Sequence, residues 1–253
     1  MKNESKNEGT TQGKTFKNRR QFLKLGGMAV LGSGLLIACS DDDDIIDIDN
    51  PDPIFDLGSG NLGILNYAYA LEQLEAKFYT NVLDGTYWAN APANERTLLE
   101  DIYNHEVIHR EFFKTAISAA APAAQVLPEL EFDFSSVDFN SRDSVLGTAK
   151  ILEDTGVSAY NGAGKLINVS DAAGVTYLTL AGKIVSVEAR HASAIRDLIN
   201  PGSMDFAGDD ILISLGGTAK AFDKATLPAD VLATVISTGF VVTPFTANNL
   251  PTS

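Results

Sequence analysis

One arrangement occurs twice in this 253-residue chain: a glutamate on one helical stretch, then Glu-x-x-His on the next. The first copy is Glu72 followed by Glu106-Val107-Ile108-His109; the second is Glu153 followed by Glu188-Ala189-Arg190-His191. The spacing from single glutamate to motif is 34 residues in one copy and 35 in the other. Residues three apart share a helix face, so each Glu-x-x-His aims a carboxylate and an imidazole at one point. Each motif lies among apolar positions such as Ile102 and Ile184, which makes that face the inward one. Buried unpaired carboxylates cost several kcal/mol each or neutralise themselves. Two divalent ions among four glutamates and two imidazoles remove that cost. Mixed carboxylate and imidazole ligation suits iron or manganese, and zinc is compatible.

The apolar pattern supports helices around such a centre. Ile64, Ala68, Leu71, Phe78 and Val82 fall at helical spacing between Asn61 and Leu83. Asn94 is the expected N-cap of a second helix that runs to about Ala120 and stops at Pro122. Ser141 to about Ile167 reads as a third helix, and Asp171 to Ile199 as a fourth, closed by Pro201-Gly202. Leu227 to Thr238 is a shorter amphipathic fifth. Ile211–Ile213 and Phe240–Val242 are the candidates for short extended pieces. Between the second and third helices lie Ala121 to Asn140, with Phe132, Phe134 and Phe139. A linker of that length is unusual inside a domain unless it runs along the bundle. A shift of 81 maps Ala68, Leu71, Glu72 and Tyr79 onto Ala149, Leu152, Glu153 and Tyr160. A shift of 82 maps Leu98, Ile102, Glu106, His109, Phe113 and Ile117 onto Leu180, Ile184, Glu188, His191, Ile195 and Ile199. The expectation is an all-α fold of two repeated helical hairpins joined by one long crossover.

These helices and motifs resemble the ferritin-like superfamily, the carboxylate-bridged di-metal four-helix bundles that include rubrerythrins and manganese catalases. The resemblance covers residues 60–200 and leaves 201–253 as a C-terminal extension with one short helix. It implies that Glu72 and Glu153 each serve one metal, that Glu106 and Glu188 bridge, and that His109 and His191 each ligate one ion. Tyr79 and Tyr160, seven residues after the single glutamates, would then hydrogen-bond ligating carboxylates, or else be ordinary core tyrosines. Glu75 shares a face with Glu72, but the repeat maps it to Gly156, so Glu72 is the expected ligand and Glu75 an extra ligand or polar neighbour. His105-Glu106-Val107-Ile108-His109 matches the zinc-protease pattern His-Glu-x-x-His. The second hairpin has Val187 where the first has His105, and a protease would leave Glu72, Glu153, Glu188 and His191 unexplained. His105 is therefore expected behind the ligands or at the surface. Gly156, Gly162 and Gly164 are unfavourable inside the third helix, implying close packing, a kink or a break near Asn161.

The amino-terminal segment places the protein. Asn18-Arg19-Arg20-Gln21-Phe22-Leu23-Lys24 resembles a twin-arginine export motif, followed by 14 mainly apolar residues, too few to span a bilayer. Leu36-Ile37-Ala38-Cys39 resembles a bacterial lipobox with Cys39 as the lipidated residue; the competing reading is a buried helix with a stray cysteine. Cys39 is the only cysteine, which excludes an intrachain disulfide and a thiolate cluster. Residues 39–59 read as an acidic, disordered tether, and Asp41–Asp44 resemble the signal that displays some bacterial lipoproteins on the outer membrane surface. Residues 1–38 hold seven of 19 basic and two of 33 acidic side chains, so the rest carries 12 against 31, a net of −19. Such a charge repels phosphate backbones, and no nucleic-acid partner is expected. The expected protein is an exported, outer-membrane-anchored di-metal oxidoreductase acting on peroxide, dioxygen or ferrous iron. Its alternatives are a non-catalytic envelope module on the same scaffold and, more remotely, a zinc protease. A storage cage fits poorly with a lipidated, acidic amino terminus.

Overall fold

A computed structural model describes residues 54–252; the expected export signal, lipobox, Cys39 and acidic run lie outside them. The described chain is a bundle of long helices with a wrapping of irregular segments. Helix α1 spans Gly60–Asp84, a short α2 spans Thr86–Asn90, and α3 spans Ala93–Ala120. After a crossover with one 3₁₀ turn, α4 spans Arg142–Gly164 and α5 Ala172–Ile199. The C-terminal helix α6 spans Pro228–Thr238. α1 packs along α3, and α4 along α5, giving the two expected hairpins. Among the described residues, no helix is long and apolar enough to cross a membrane.

Local chemistry sets the helix ends. Ser141 Oγ accepts from the Ser144 amide to open α4, and Asp171 Oδ1 accepts from the Gly174 amide at 2.8 Å to open α5. At α3 the expected cap was Asn94, but the cap is Pro92, whose carbonyl accepts from Arg96 N at 3.0 Å. The hairpin loop before it is not plain coil. It folds as α2 because Tyr87 is buried and donates its hydroxyl to Glu95 Oε2 at 2.5 Å. α4 ends at Gly164, three residues before the expected limit, though Leu166 and Ile167 remain buried beyond it.

The glycines of α4 do not break it. Gly162 is the contact point for the C-terminal segment: a Cβ there would meet Thr226 O at 1.7 Å, and Thr226 N donates to Ser158 O at 2.9 Å. Gly156 faces the interior, where a Cβ would stand 3.1 Å from Glu75 Oε1 and 3.5 Å from Glu188 Oε2. Close packing is the correct member of the three expectations.

α1 is buried on nearly every face, because the crossover covers the side that the other helices leave open. Two polar residues on α1 fix it. Asn66 accepts from Leu127 N at 3.0 Å and donates to Gln125 O at 2.9 Å and Leu57 O at 3.0 Å. Seven residues on, Gln73 accepts from Leu130 N at 2.8 Å and donates to Pro128 O at 3.2 Å. They satisfy backbone groups that an irregular segment would otherwise bury unpaired. The expected aromatic anchor also holds: Phe134 is buried within 5.8 Å of Phe78, ring to ring, and 4.9 Å of Phe240.

The C-terminal extension closes the outside. Val231, Leu232 and Val235 of α6 enter the core. The extended pieces expected at Ile211–Ile213 and Phe240–Val242 amount to single bridges, Ile213 to Phe222 and Phe132 to Val241. A two-stranded parallel ladder was not expected: Phe55–Asp56 (β1) pairs with Phe245–Thr246 (β2). Leu57 is fully buried and Asp56 accepts from Gly58 N and Thr246 Oγ1, so the packed chain begins before residue 60, where the acidic stretch was expected to end. Ile199, expected in the core by the repeat, is 41% exposed because it is the last residue of α5.

Candidate metal centre

Each hairpin presents its glutamate on the first long helix and its Glu-x-x-His on the second, and all six side chains meet at the middle of the bundle. Glu72, Glu106, Glu153 and Glu188 are 0% exposed, and His109 and His191 are 8% and 4%. Ligand atoms of Glu72, Glu106, His109 and Glu188 all lie within 4.8 Å of one another, as do those of Glu106, Glu153, Glu188 and His191. Glu106 and Glu188 belong to both groups. These buried carboxylate–histidine clusters could hold metal ions.

His109 Nδ1 lies 3.0 Å from Glu188 Oε1 and 3.4 Å from both Glu72 Oε2 and Glu106 Oε2. His191 Nδ1 lies 2.7 Å from Glu106 Oε1 and 3.4 Å from Glu153 Oε2. Yet eight buried atoms of these six residues lack a hydrogen-bond partner: both imidazole Nδ1 atoms, Oε2 of Glu72 and Glu153, and both oxygens of Glu106 and Glu188. They crowd together in the two groups without forming hydrogen bonds to one another. Orphaned buried polar atoms are rare and need a cause. A cation in each group is a cause that satisfies all eight.

Electrostatics agree. Without cations, burial and then the neighbouring carboxylates hold Glu75 and Glu106 well above the usual carboxylate range. Burial, only partly offset by His191, pushes Glu153 up to about 7. Burial alone would also raise Glu188, but His109 and His191 outweigh it and hold it at about 2. Burial opposes a charged His109, but Glu106, Glu188 and Glu72 outweigh it and push that imidazole up to about 12; His191 is raised likewise. The metal-free cluster thus neutralises itself with protons, which cations can replace.

The remaining candidates fall into place around this centre. Tyr79 donates to Glu153 Oε1 and Tyr160 to Glu72 Oε1. Each tyrosine serves the glutamate of the other hairpin, because α1 and α4 run past each other in opposite directions. Glu75 is buried, with Oε2 unpartnered, in the space that Gly156 leaves, so the repeat is broken there for room. His105 belongs to neither group, and His105 and His109 do not share an ion-sized space as the protease pattern requires.

Some residues around the centre carry no motif. Tyr67 has a buried hydroxyl without a partner, raised by burial and then by Glu75. It lines an apolar cavity of about 20 Å³ between the four long helices, with Leu71, Phe113, Tyr160 and Ala163. That is room for one molecule the size of water. Arg196 is buried against Asp154 at 2.6 Å and Asp210 at 2.6 Å, tying the C-terminal extension to the residue beside Glu153. Its one sequence signal is a charge on the core face of α5, beside Ile195 and Ala192.

Two hairpins, a long crossover and a buried, doubled carboxylate–histidine cluster define a class of helical bundle whose core could hold metal ions. The chain belongs to the ferritin-like domain family, whose pattern it matches over residues 60–201. A comparison with curated proteins found none that matches.

Proposed function

We propose that this is an exported, lipid-anchored di-metal protein that performs redox chemistry on dioxygen, peroxide or ferrous iron, with iron or manganese as its metal. The observation that carries the metal reading is the convergence of eight unpartnered buried atoms into two groups that share Glu106 and Glu188. In this reading Glu72 and His109 would help hold one ion, Glu153 and His191 the other, and Glu106 and Glu188, common to both groups, would serve both. An adjacent pair of redox-active ions in glutamate ligation would supply a two-electron change, which peroxide requires and which two ferrous ions, giving one electron each, would together pass to dioxygen.

The chain's own residues prepare that chemistry. Tyr79 and Tyr160 each occupy one oxygen of a terminal glutamate and leave the other facing the centre. Four fully buried carboxylates would give cations a strong, fixed field. Export by a twin-arginine pathway, which carries folded proteins, would let metal load in the cytoplasm. Cys39 would then anchor the protein to the outer membrane, with the acidic run favouring display on its surface.

Metal analysis of the exported protein tests this reading. The expected result is about two iron or manganese ions per chain, lost when Glu106 or Glu188 becomes alanine. A chain without transition metal after anaerobic purification rejects it and leaves a binding or structural module. One zinc, lost in His105→Ala and kept in Glu153→Ala, indicates a protease. Catalase and ferroxidase assays on the loaded protein then select the reaction.

A further inference from the structure

His105 is exposed on α3, yet its Nδ1 lies 2.9 Å from Nε2 of the buried His191 on α5. The two ring planes differ by 10° and the centroids are 5.1 Å apart. That separation is too wide for face-to-face contact and matches an N–H···N bridge plus the radii of two rings. The imidazoles therefore meet edge to edge in a common plane. The inner nitrogen of His191, Nδ1, faces Glu106 and Glu153. To hold an ion that nitrogen must be unprotonated, so the ring hydrogen sits on Nε2 and is donated to His105 Nδ1. An acceptor behind a ligating imidazole fixes its tautomer and orientation and raises its basicity.

The other half of the repeat has no protein acceptor in this place. The position equivalent to His105 is Val187, which has no polar side-chain atom. Among the described residues, no hydrogen bond reaches the outer nitrogen of His109. The two halves match in their glutamates and imidazoles and in the reciprocal tyrosines, and differ at this contact and at Glu75, whose counterpart is Gly156.

We propose that His105 is a positioning residue that locks His191 with Nδ1 toward the centre, so that the ion held by Glu153 and His191 binds more tightly than the ion held by Glu72 and His109. This rests on the di-metal reading. It also gives the His-Glu-x-x-His coincidence a physical role, since the first histidine acts on the far hairpin rather than on its own helix.

Anaerobic calorimetric titration with cobalt(II) alone tests it, on the wild type and on His105→Phe, His105→Gln and Glu153→Gln. The wild type should take up two ions in two resolved steps. His105→Phe should weaken the tighter step roughly 10–100-fold. Glu153→Gln should weaken that same step, and His105→Gln, which keeps an acceptor at that position, should restore most of the affinity. The metal-free His105→Phe and His105→Gln proteins should still unfold cooperatively, so that a weakened step reports binding and not folding. Unchanged binding in His105→Phe, loss in the step that Glu153→Gln spares, or a His105→Gln as weak as His105→Phe overturns this proposal alone. A wild type that binds no cobalt overturns the di-metal reading and this proposal with it.

Discussion

Tyr79 and Tyr160 stand at the point where a side chain decides what a carboxylate can do. Each hydroxyl occupies one oxygen of a fully buried glutamate that faces the cluster with its other oxygen. Hydrogen bonds to charged groups contribute about 1.5–3 kcal/mol, more than neutral ones, and their loss leaves a buried oxygen unsatisfied. Tyr79→Phe should therefore weaken the ion step that Glu153→Gln weakens, and Tyr160→Phe the one that Glu72→Gln weakens, each by roughly 10–100-fold. Metal titration of the two variants checks this. A variant that weakened the step of its own helix's glutamate would contradict the crossed arrangement. The sequence spacing of seven placed both tyrosines on the ligand face, but it could not show that each reaches across to the other hairpin. That depends on α1 and α4 running antiparallel at contact distance.

Among the elements, α4 shows how a helix tolerates glycine when packing needs it. A Cβ added at Gly147 would meet nothing within 4 Å, one at Gly156 would meet the Glu75 carboxylate at 3.1 Å, and one at Gly162 the Thr226 backbone at 1.7 Å. Gly147→Ala should stabilise the protein by about 0.5–1 kcal/mol, the ordinary helix gain. Gly162→Ala should destabilise it by about 1–3 kcal/mol, because a backbone segment must move away. Chemical denaturation of the metal-free proteins measures both, and a Gly162→Ala gain equal to that of Gly147→Ala would show that the Thr226 contact is dispensable. The crossover has the same logic in polar form. Phe134 was legible as its anchor, whereas Asn66 and Gln73 belong to no motif and no repeated position. Their partners are backbone groups about 60 residues away, at Gln125, Leu127, Pro128 and Leu130, and no local pattern points to them.

For the whole molecule, the cluster couples folding to protons and to metal. Glu153 binds its proton up to about pH 7 in the folded, metal-free chain, against an ordinary value of 4.5. His109 keeps its proton up to about 12, against 6.5. In both cases the folded state holds a proton that the unfolded state has released. Stability therefore falls with rising pH, from 4.5 to 7 for Glu153 and above 6.5 for His109. Glu188, held at about 2, contributes stability that is already complete near pH 4.5 and is lost only on further acidification. The metal-free protein should thus melt at a lower temperature at about pH 8 than at about pH 5.5, and Glu153→Gln should flatten part of that slope. Metal uptake displaces the same protons, so the gap between loaded and metal-free melting temperatures should widen from about pH 5.5 to about pH 8. Thermal unfolding with and without chelator reads both effects, and a metal-free form more stable at the higher pH would refute the assignment.

The sequence alone determined the long helices, the hairpin repeat and the six residues that meet at the centre, because helical period and ligand spacing are local and occur twice. It also separated Glu72 from Glu75, since only one of them has a glutamate in the second copy. Tertiary structure decided the rest. It put Glu75 in the space beside Gly156, crossed the tyrosines between hairpins and wrapped α1 with the crossover. It also tied Phe55 to Phe245 and laid His105 against His191. All of these join residues far apart in the chain. Their distances follow from how the two hairpins and the C-terminal segment pack, which no single helix face encodes.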